Sequence, residues 1–301
     1  SKSKPTNDTI FDLSFQVQLP DEWNTSLAKK NIGISAVVET DRCSQKWVDC
    51  CNKMDAVIVP STFTRSVLKR SGDLTTSVHV IPEWFNENIS IEGKEITSRE
   101  MGLNINPKFN FLIVGTITSN SADDDRKNIF YSLKWLIEEF KDDKKVGIVL
   151  KSSFGRGTNI DKKLTEDALK SVLNSVRKKG QKFPKITLVH GNMSQHEVSQ
   201  LYKHNKIKCL VSATRGEGYG LPLIEAAASG LPVIATGWSG HTDFLEEGKY
   251  VMLDYYLEEI NKSRIDNRIF VDGTRWANVS ESDFKRKTRN MFEKYNNHKK
   301  N

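Results

Sequence analysis

The stretch TRGEGYGLPLIEAAASGLPVIATG, residues 214–237, joins a glycine-rich loop to an apolar helix and a strand. Pro222 suits the start of a helix, because proline lacks the N–H that would be unpaired there. Gly230 suits the end of that helix, and the apolar run after it predicts a buried strand. The loop backbone can approach a ligand closely because it contains three glycines, Gly216, Gly218 and Gly220.

Two carboxylates flank this turn. Glu217 lies on the predicted loop, and Glu225 falls in the predicted first turn of the helix. The free N–H groups at a helix amino terminus form an anion site that suits a pyrophosphate. A carboxylate beside that site can accept hydrogen bonds from sugar or ribose hydroxyls. The pattern therefore indicates binding of a ligand that carries both phosphates and hydroxyls.

The rest of the second part of the chain alternates apolar runs with amphipathic stretches. The predicted helices are RKNIFYSLKWLIEEFKDD, DKKLTEDALKSVLNSVRKKG and SQHEVSQLYKHN. The predicted strands lie at 109–117, 145–152, 185–191, 207–213 and 231–237. This β-α-β alternation predicts a parallel sheet covered by helices, which binds ligands at the carboxyl ends of its strands.

The first ninety residues show the same rhythm on a smaller scale, with the strand candidates FDLSFQVQL, NIGISAVVE, DAVIVPS and SVHVIPE. The rhythm is lost between about Trp84 and Lys108, which is the predicted linker. We expect two Rossmann-like domains, an amino-terminal one at 1–90 and a carboxy-terminal one at 91–301. The first has fewer strands than a complete nucleotide-binding domain, so we expect it to be incomplete.

Composition narrows the function classes. The chain has 301 residues, a formal charge of +7 and four cysteines without C-x-x-C spacing. The charge favours anionic partners, but no arginine-rich run interleaved with aromatics predicts a nucleic-acid surface. No apolar run reaches the length of a membrane span or a signal peptide. We expect reduced thiols, no metal site and a cytoplasmic protein, with peripheral contact to the inner membrane face left open.

At this point a family resemblance emerges. EGYGLPLIE (217–225) resembles the E-x7-E signature of retaining glycosyltransferases of family 4, which have the GT-B fold. The likeness continues through HGNMSQHEVSQLY, the segment after 225 and the upstream stretch GISAVVETDRCSQKWVDC, and covers roughly residues 11–290. It implies an α/β protein in which two Rossmann-like domains face each other across a cleft.

The resemblance also implies a site. Glu225 would hold the ribose of a nucleotide sugar, and Glu217 would lie near the hydroxyls of the transferred sugar. Members often carry a histidine where this chain has Glu39, which is therefore a candidate on the reacting side. The implied catalytic residues are Glu217, Lys127 and Glu39. The implied donor-binding residues are Glu225, Lys151, Arg126, Gly218, Tyr219, Gly220, Leu221, Gly115 and His190, with the two lysines facing the diphosphate.

The implied reaction is hexosyl transfer from a nucleotide-diphosphate sugar to a hydroxyl acceptor, with retention and without a metal or other cofactor. The acceptor would be a glycan, a lipid-linked sugar or a protein. An alternative is a degenerate nucleotide-sugar-binding protein that keeps only the donor pocket. A sugar-nucleotide enzyme other than a transferase, such as an epimerase or a phosphorylase, is a third candidate.

Three smaller features complete the expectations. The final amphipathic stretch SESDFKRKTRNMFEKY is expected to pack back on the amino-terminal domain. The acidic run 123–125 resembles a metal-binding D-x-D, although a solvated loop is favoured because a basic helix start follows it. His241 suits either the cleft or a structural turn.

Overall fold

The computed structural model describes residues 10–89, 102–153, 155 and 157–299, the last four by their backbone alone. The amino-terminal part forms a parallel four-stranded sheet in the order β1-β2-β3-β4. Ser44 and Ser61 cap its two helices by accepting hydrogen bonds from backbone N–H groups. Its elements are β1 (Phe11–Val17), β2 (Ala28–Ile34), α1 (Gln45–Cys51), β3 (Ala56–Val59), α2 (Thr62–Ser71) and β4 (Val78–Val80).

The carboxy-terminal part contains a six-stranded parallel sheet in the order β10-β9-β8-β5-β6-β7. This is the doubly wound order in which the chain changes direction between β5 and β8. Its elements are β5 (Phe109–Val114), α3 (Ile129–Glu139), β6 (Val146–Lys151), α4 (Asn159–Val176), β7 (Lys185–Val189), α5 (Gln195–Tyr202), β8 (Ile207–Ser212), α6 (Leu221–Ala228), β9 (Val233–Thr236), α7 (Thr242–Leu245) and β10 (Val251–Leu253).

Two elements follow this sheet. An antiparallel hairpin consists of β11 (Tyr255–Glu259) and β12 (Arg275–Val279), and the helix α8 (Glu281–Lys299) ends the described chain. The sequence analysis did not predict the hairpin. The segment between its strands packs Ile260 and Phe270 into the core of the first sheet, together with Trp276. This segment therefore contacts the amino-terminal part, whereas the final helix packs on the six-stranded sheet.

The prediction for the final helix is therefore wrong. Phe284 and Met291 of α8 are buried in the core of the six-stranded sheet, and Phe292 packs edge-on against Phe109. Arg289 forms an ion pair with Glu139 at the end of α3. The apolar stripe of α8 fits the face made by β5 and α3, which explains why the helix stays with its own sheet.

The predicted fold class is confirmed, since both sheets are parallel and their strands alternate with helices. The predicted domain boundary at residue 90 lies at the start of 90–101, which is outside the described residues. Just before it, Ile89 belongs to the core of the second sheet, and the Asn86 side chain donates to the Gln195 carbonyl. The chain therefore joins the second core before the segment 90–101 begins.

Candidate functional site

The glycine-rich loop lies where the six-stranded sheet changes direction. It follows β8 and leads into α6, and Gly115 follows the neighbouring strand β5. A Cβ at Gly115 would contact the Lys127 side chain at 3.5 Å, so this turn packs directly against the lysine. The carboxyl ends of β5 and β8 flank the crevice where doubly wound sheets bind ligands.

Three charged side chains meet in this crevice. The Lys127 ammonium lies 2.7 Å from each carboxylate oxygen of Glu217, and Arg126 Nη1 lies 3.5 Å from Oε2. The Thr214 hydroxyl donates to Glu217 Oε1 at 2.9 Å. Lys127 and Arg126 precede Glu217 by 90 and 91 positions, whereas Thr214 precedes it by three. The fold thus assembles two cations around one buried carboxylate.

The charge states follow from this geometry. Burial raises the pKa of Glu217, but Lys127 and Arg126 outweigh burial and hold that pKa at about 2. Burial lowers the pKa of Arg126, but Glu39 and Glu217 outweigh it and the net shift is upward. At neutral pH Glu217 is therefore ionised, and its carboxylate lies between the side chains of Lys127 and Arg126.

Glu39 joins the same cluster from the amino-terminal part, because its Oε1 lies 3.3 Å from Arg126 Nη2. The predicted strand NIGISAVVE ends earlier than expected, at Ile34, and residues 35–41 form a loop. Val37 on this loop has a φ of 58°, which is rare for a β-branched residue and costly unless the surroundings hold it. The turn brings Glu39 across to the second sheet.

The glycines of the loop make close contact with that first part. A Cβ at Gly216 would lie 2.0 Å from the Glu39 carbonyl oxygen, and one at Gly218 would lie 2.8 Å from the Ala36 Cβ. The Ser61 hydroxyl donates to the Gly218 carbonyl at 2.6 Å. We predicted that these glycines let the backbone approach a ligand. In this structure Gly216 and Gly218 let it approach the other sheet.

A second loop, residues 237–241, forms hydrogen bonds with the backbone of Glu217. The Glu217 N–H donates to the Ser239 hydroxyl, and the Gly240 N–H donates to the Glu217 carbonyl, both at 2.9 Å. His241 is fully buried and its Nε2 lies 2.7 Å from the Thr236 carbonyl oxygen. Burial lowers the pKa of His241, so the ring is neutral and donates this hydrogen bond. These contacts identify His241 as a structural turn residue.

The remaining predicted donor residues follow the same edge of the sheet. Leu221 begins α6, so Glu225 lies just past the first turn and not within it. Glu225 is half-buried, and burial raises its pKa. The Tyr219 ring packs against Phe244, while Leu221 is exposed. Gly220 has a φ of 102° and caps the helix, which confirms the predicted turn and aims the α6 amino terminus toward the crevice.

Lys151 and His190 lie farther along this edge, at the ends of β6 and β7. The Lys151 ammonium donates to the Gly191 carbonyl at 2.5 Å, and burial lowers the pKa of this lysine. The Nε2 atom of His190 is buried without a hydrogen-bond partner among the described residues. Both residues therefore share an edge with the Glu217 cluster, but they belong to the next two strands outward.

Among the described residues, no group of three or more histidine, cysteine, aspartate or glutamate side chains could hold a metal ion. No helix there has both the length and the apolar character of a membrane span. The acidic run is used internally, since Asp125 accepts from the Ile129 N–H and Asp123 accepts from the Tyr131 hydroxyl.

Comparison with known proteins finds a family match in the carboxy-terminal part. Residues 179–265 match the family described as "Glycosyl transferases group 1". A probable sucrose-phosphate synthase of Thermosipho melanesiensis is 32% identical over 183 residues, which are 60% of this chain and 37% of that protein. The chain thus spans little more than a third of the length of this curated relative.

Two solved structures share the fold. A sucrose-phosphate synthase from Thermosynechococcus elongatus matches with a TM-score of 0.61 at 13% identity, over 95% of this chain and 65% of its own. The HepE protein of Anabaena, in complex with UDP and glucose, matches with a TM-score of 0.57 at 12% identity, over 90% and 64%. The chain shares its fold with these proteins, and its residues 179–265 match the glycosyl transferases group 1 family.

Proposed function

We propose that this chain binds a nucleotide-diphosphate sugar and transfers the sugar to a hydroxyl acceptor with retention. The observation that carries the proposal is the convergence of Lys127 and Arg126 on Glu217, beside the amino terminus of α6. Two fixed cations and a helix amino terminus in one crevice form a site for a doubly charged phosphate group.

In this proposal Glu217 is the internal counterion of the free protein. Its side chain is only 9% exposed and pairs with both cations. A diphosphate that enters the crevice competes with this carboxylate for Lys127 and Arg126. The displaced Glu217 then accepts hydrogen bonds from the hydroxyls of the transferred sugar, and Glu225 accepts them from the ribose.

The catalytic contribution is electrostatic. Breaking the bond between the sugar and the diphosphate leaves negative charge on the departing phosphate. Lys127, Arg126 and the N–H groups at the start of α6 are held in place before the reaction, so they stabilise that charge without reorganisation. The acceptor hydroxyl attacks from the face that the diphosphate leaves, its proton passes to the departing phosphate oxygen, and no protein nucleophile takes part.

The contacts between the two sheets supply a second requirement, which is exclusion of water from the reacting bond. Asp243 accepts hydrogen bonds from the Thr62 N–H and hydroxyl at 2.6 and 2.7 Å, and Glu39 pairs with Arg126. These contacts hold the carboxyl ends of the two sheets against each other. The structural relative that was crystallised with UDP and glucose supports a uridine nucleotide as the first donor to test.

The experiment is a thermal unfolding series with UDP, GDP, ADP and their glucose conjugates. A ligand at 100 times its dissociation constant stabilises a fold by about 2.7 kcal/mol if it binds only the native state. We expect one nucleotide series to raise the unfolding temperature of the parent chain and to lose most of this effect in Lys127→Ala. Lys163→Ala, which removes an exposed lysine of α4, is the matched control and should retain the parent response.

A Glu217→Gln variant separates binding from transfer. Because the neutral amide competes less with phosphate for Lys127, we expect nucleoside diphosphate binding to be as tight as in the parent chain or tighter, while sugar transfer is lost. Weaker binding in this variant would contradict the role of Glu217 as a displaced counterion. Binding without transfer by the parent chain, to any of a panel of glycans and lipid-linked sugars, would favour the nucleotide-sugar-binding protein instead.

A further inference from the structure

A cavity outside the crevice lies between the hairpin β11–β12 and the chain that carries Asp123, Asn128 and Tyr131. Its volume is about 390 Å³, which lies within the usual size range of small-molecule sites. The residues that matter here are Asn128, Arg215, Tyr256, Glu258, Glu259 and Trp276, all of which line it. None of Lys127, Arg126 and Glu217, the charged residues of the first site, lines it. We call this space the hairpin cavity.

One hydrogen-bond acceptor on a residue of its lining lacks a partner among the described residues. The Asn128 side chain is 1% exposed, and its Nδ2 donates to the Ala213 carbonyl at 3.0 Å. Its Oδ1 is buried without a hydrogen-bond partner among the described residues. Buried acceptors without a partner are uncommon in folded proteins, and Asn128 is one of the residues that line this cavity.

The charges of the cavity exclude phosphate ligands. Asp123, Glu258 and Glu259 place three carboxylates on its wall, against the single cation Arg215. That guanidinium is already occupied, because it lies over the Trp276 ring at 5.2 Å and donates to the Asp125 carbonyl. An anion would face a net negative wall with no free cation among the lining residues.

The chemistry instead fits a neutral saccharide. Carboxylate and amide oxygens accept hydrogen bonds from hydroxyl groups, and Asn128 Oδ1 and Glu259 supply such oxygens. The Tyr256 side chain is 57% exposed and offers an aromatic face with a polar tip, a surface that suits a ligand with apolar and hydroxyl-bearing sides. We propose that the hairpin cavity is a binding site for a neutral saccharide, separate from the anion site.

The two sites lie on the same backbone segments, but different side chains form them. Asn128 follows Lys127 in sequence, and the Arg215 N–H donates to the Arg126 carbonyl at 2.8 Å. The proposal does not rest on the proposed transferase function, because it requires saccharide binding in the absence of nucleotide. It predicts only that a sugar binds in the hairpin cavity.

The test is saturation-transfer NMR and titration calorimetry of the full chain with glucose, galactose, N-acetylglucosamine and their disaccharides, without nucleotide. We expect saturable binding of at least one of them, weakened about tenfold or more in Tyr256→Ala and in Glu259→Gln, as for loss of a central contact. Tyr255→Ala is the matched control, because Tyr255 is an exposed neighbour on the hairpin that does not line the cavity. It should bind like the parent chain, and so should Lys127→Ala.

Three outcomes would overturn the proposal. The first is the absence of saturable binding by every saccharide in the panel. The second is loss of binding in Lys127→Ala but not in Tyr256→Ala, which would place the sugar in the cationic crevice. The third is binding of spermidine, used as an organic cation probe, in the absence of any saccharide binding. All of the exchanged cavity residues are exposed, so circular dichroism of each variant should match the parent chain.

Discussion

The two parallel sheets of this molecule differ in how completely the side chains of their strands are buried. In the six-stranded sheet, Phe111 and Leu112 on β5 point to opposite faces and are both fully buried. In the four-stranded sheet, the first strand exposes alternate apolar side chains: Phe11, Leu13, Phe15 and Val17 are 41–75% exposed. Of the residues between them, the polar Ser14 and Gln16 face inward, at 8% and 7% exposure.

The inward polar residues of β1 are satisfied. Ser14 donates to Asn31 Oδ1 at 2.8 Å, and Gln16 donates to the Asn24 carbonyl at 2.9 Å. A parallel strand is apolar on both faces only where helices or further strands cover both. The six-stranded sheet forms the crevice where its own chain direction changes. The four-stranded sheet contributes residues that follow its strands: Ala36 and Glu39 after β2, and Ser61 after β3.

The largest expected difference between the sheets is in the cost of losing a phenylalanine. Phe111→Ala should lower the free energy of unfolding by about 3–5 kcal/mol, because it leaves a cavity in a closed core. Phe15→Ala removes the same ring from an exposed position and should change that energy by about 0.5 kcal/mol or less. Urea unfolding measures both. An equal loss in the two variants would show that the outer face of β1 is covered in solution.

A smaller effect is expected where the sheets touch. Gly216→Ala would place a methyl group 2.0 Å from the Glu39 carbonyl oxygen, so the loop must move away from the first sheet. We expect a loss of about 1–3 kcal/mol in the free energy of unfolding, as for other overpacked sites. Gly248→Ala is the control, because its nearest neighbour would be 3.8 Å away. If both variants unfold alike, the contact between the sheets does not form in solution.

The third expected effect is a dependence on pH. The pKa of Glu217 is about 2 in the folded chain, below its ordinary 4.5, so the unfolded chain takes up this proton first. The stabilisation from ionised Glu217 is therefore fully present above about pH 4.5 and is lost as the pH falls toward 2. The difference in unfolding free energy between the parent chain and Glu217→Gln should shrink over that window. An exposed substitution, Glu293→Gln, should show no such trend, and a constant difference for Glu217→Gln would contradict the ion pair.

Much of this architecture could be predicted from local patterns. The strands of the second sheet, the loop-helix-strand unit at 214–237 and the glycine at the start of α6 follow from apolar runs and from the requirements of glycine and proline. The hairpin β11–β12 was missed, although YYLEE and RWANV are short stretches rich in residues that favour strands. Its pairing joins residues about twenty positions apart, and no turn signal of a tight hairpin links them.

The candidate site was predicted as a set of residues but not as an arrangement. Glu217, Lys127, Arg126 and Glu39 were each named, and the structure brings these four together. The support from Ser239 and the partnership of Ser61 with the Gly218 carbonyl were not predicted. Short polar residues on loops carry no local signal for such contacts, because their partners are chosen by the fold.

The sequence by itself determined the alternation of strands and helices, the turn at Gly220 and the chemical types available for an anion site. These properties depend on backbone preferences and on side chains within a few positions of one another. Only the tertiary structure decided that Glu217 is held between two cations, that Glu39 reaches Arg126 and that Gly216 packs against the first sheet. Those contacts join residues 87 to 177 positions apart, and their energies depend on burial and distance, which exist only after the chain has folded.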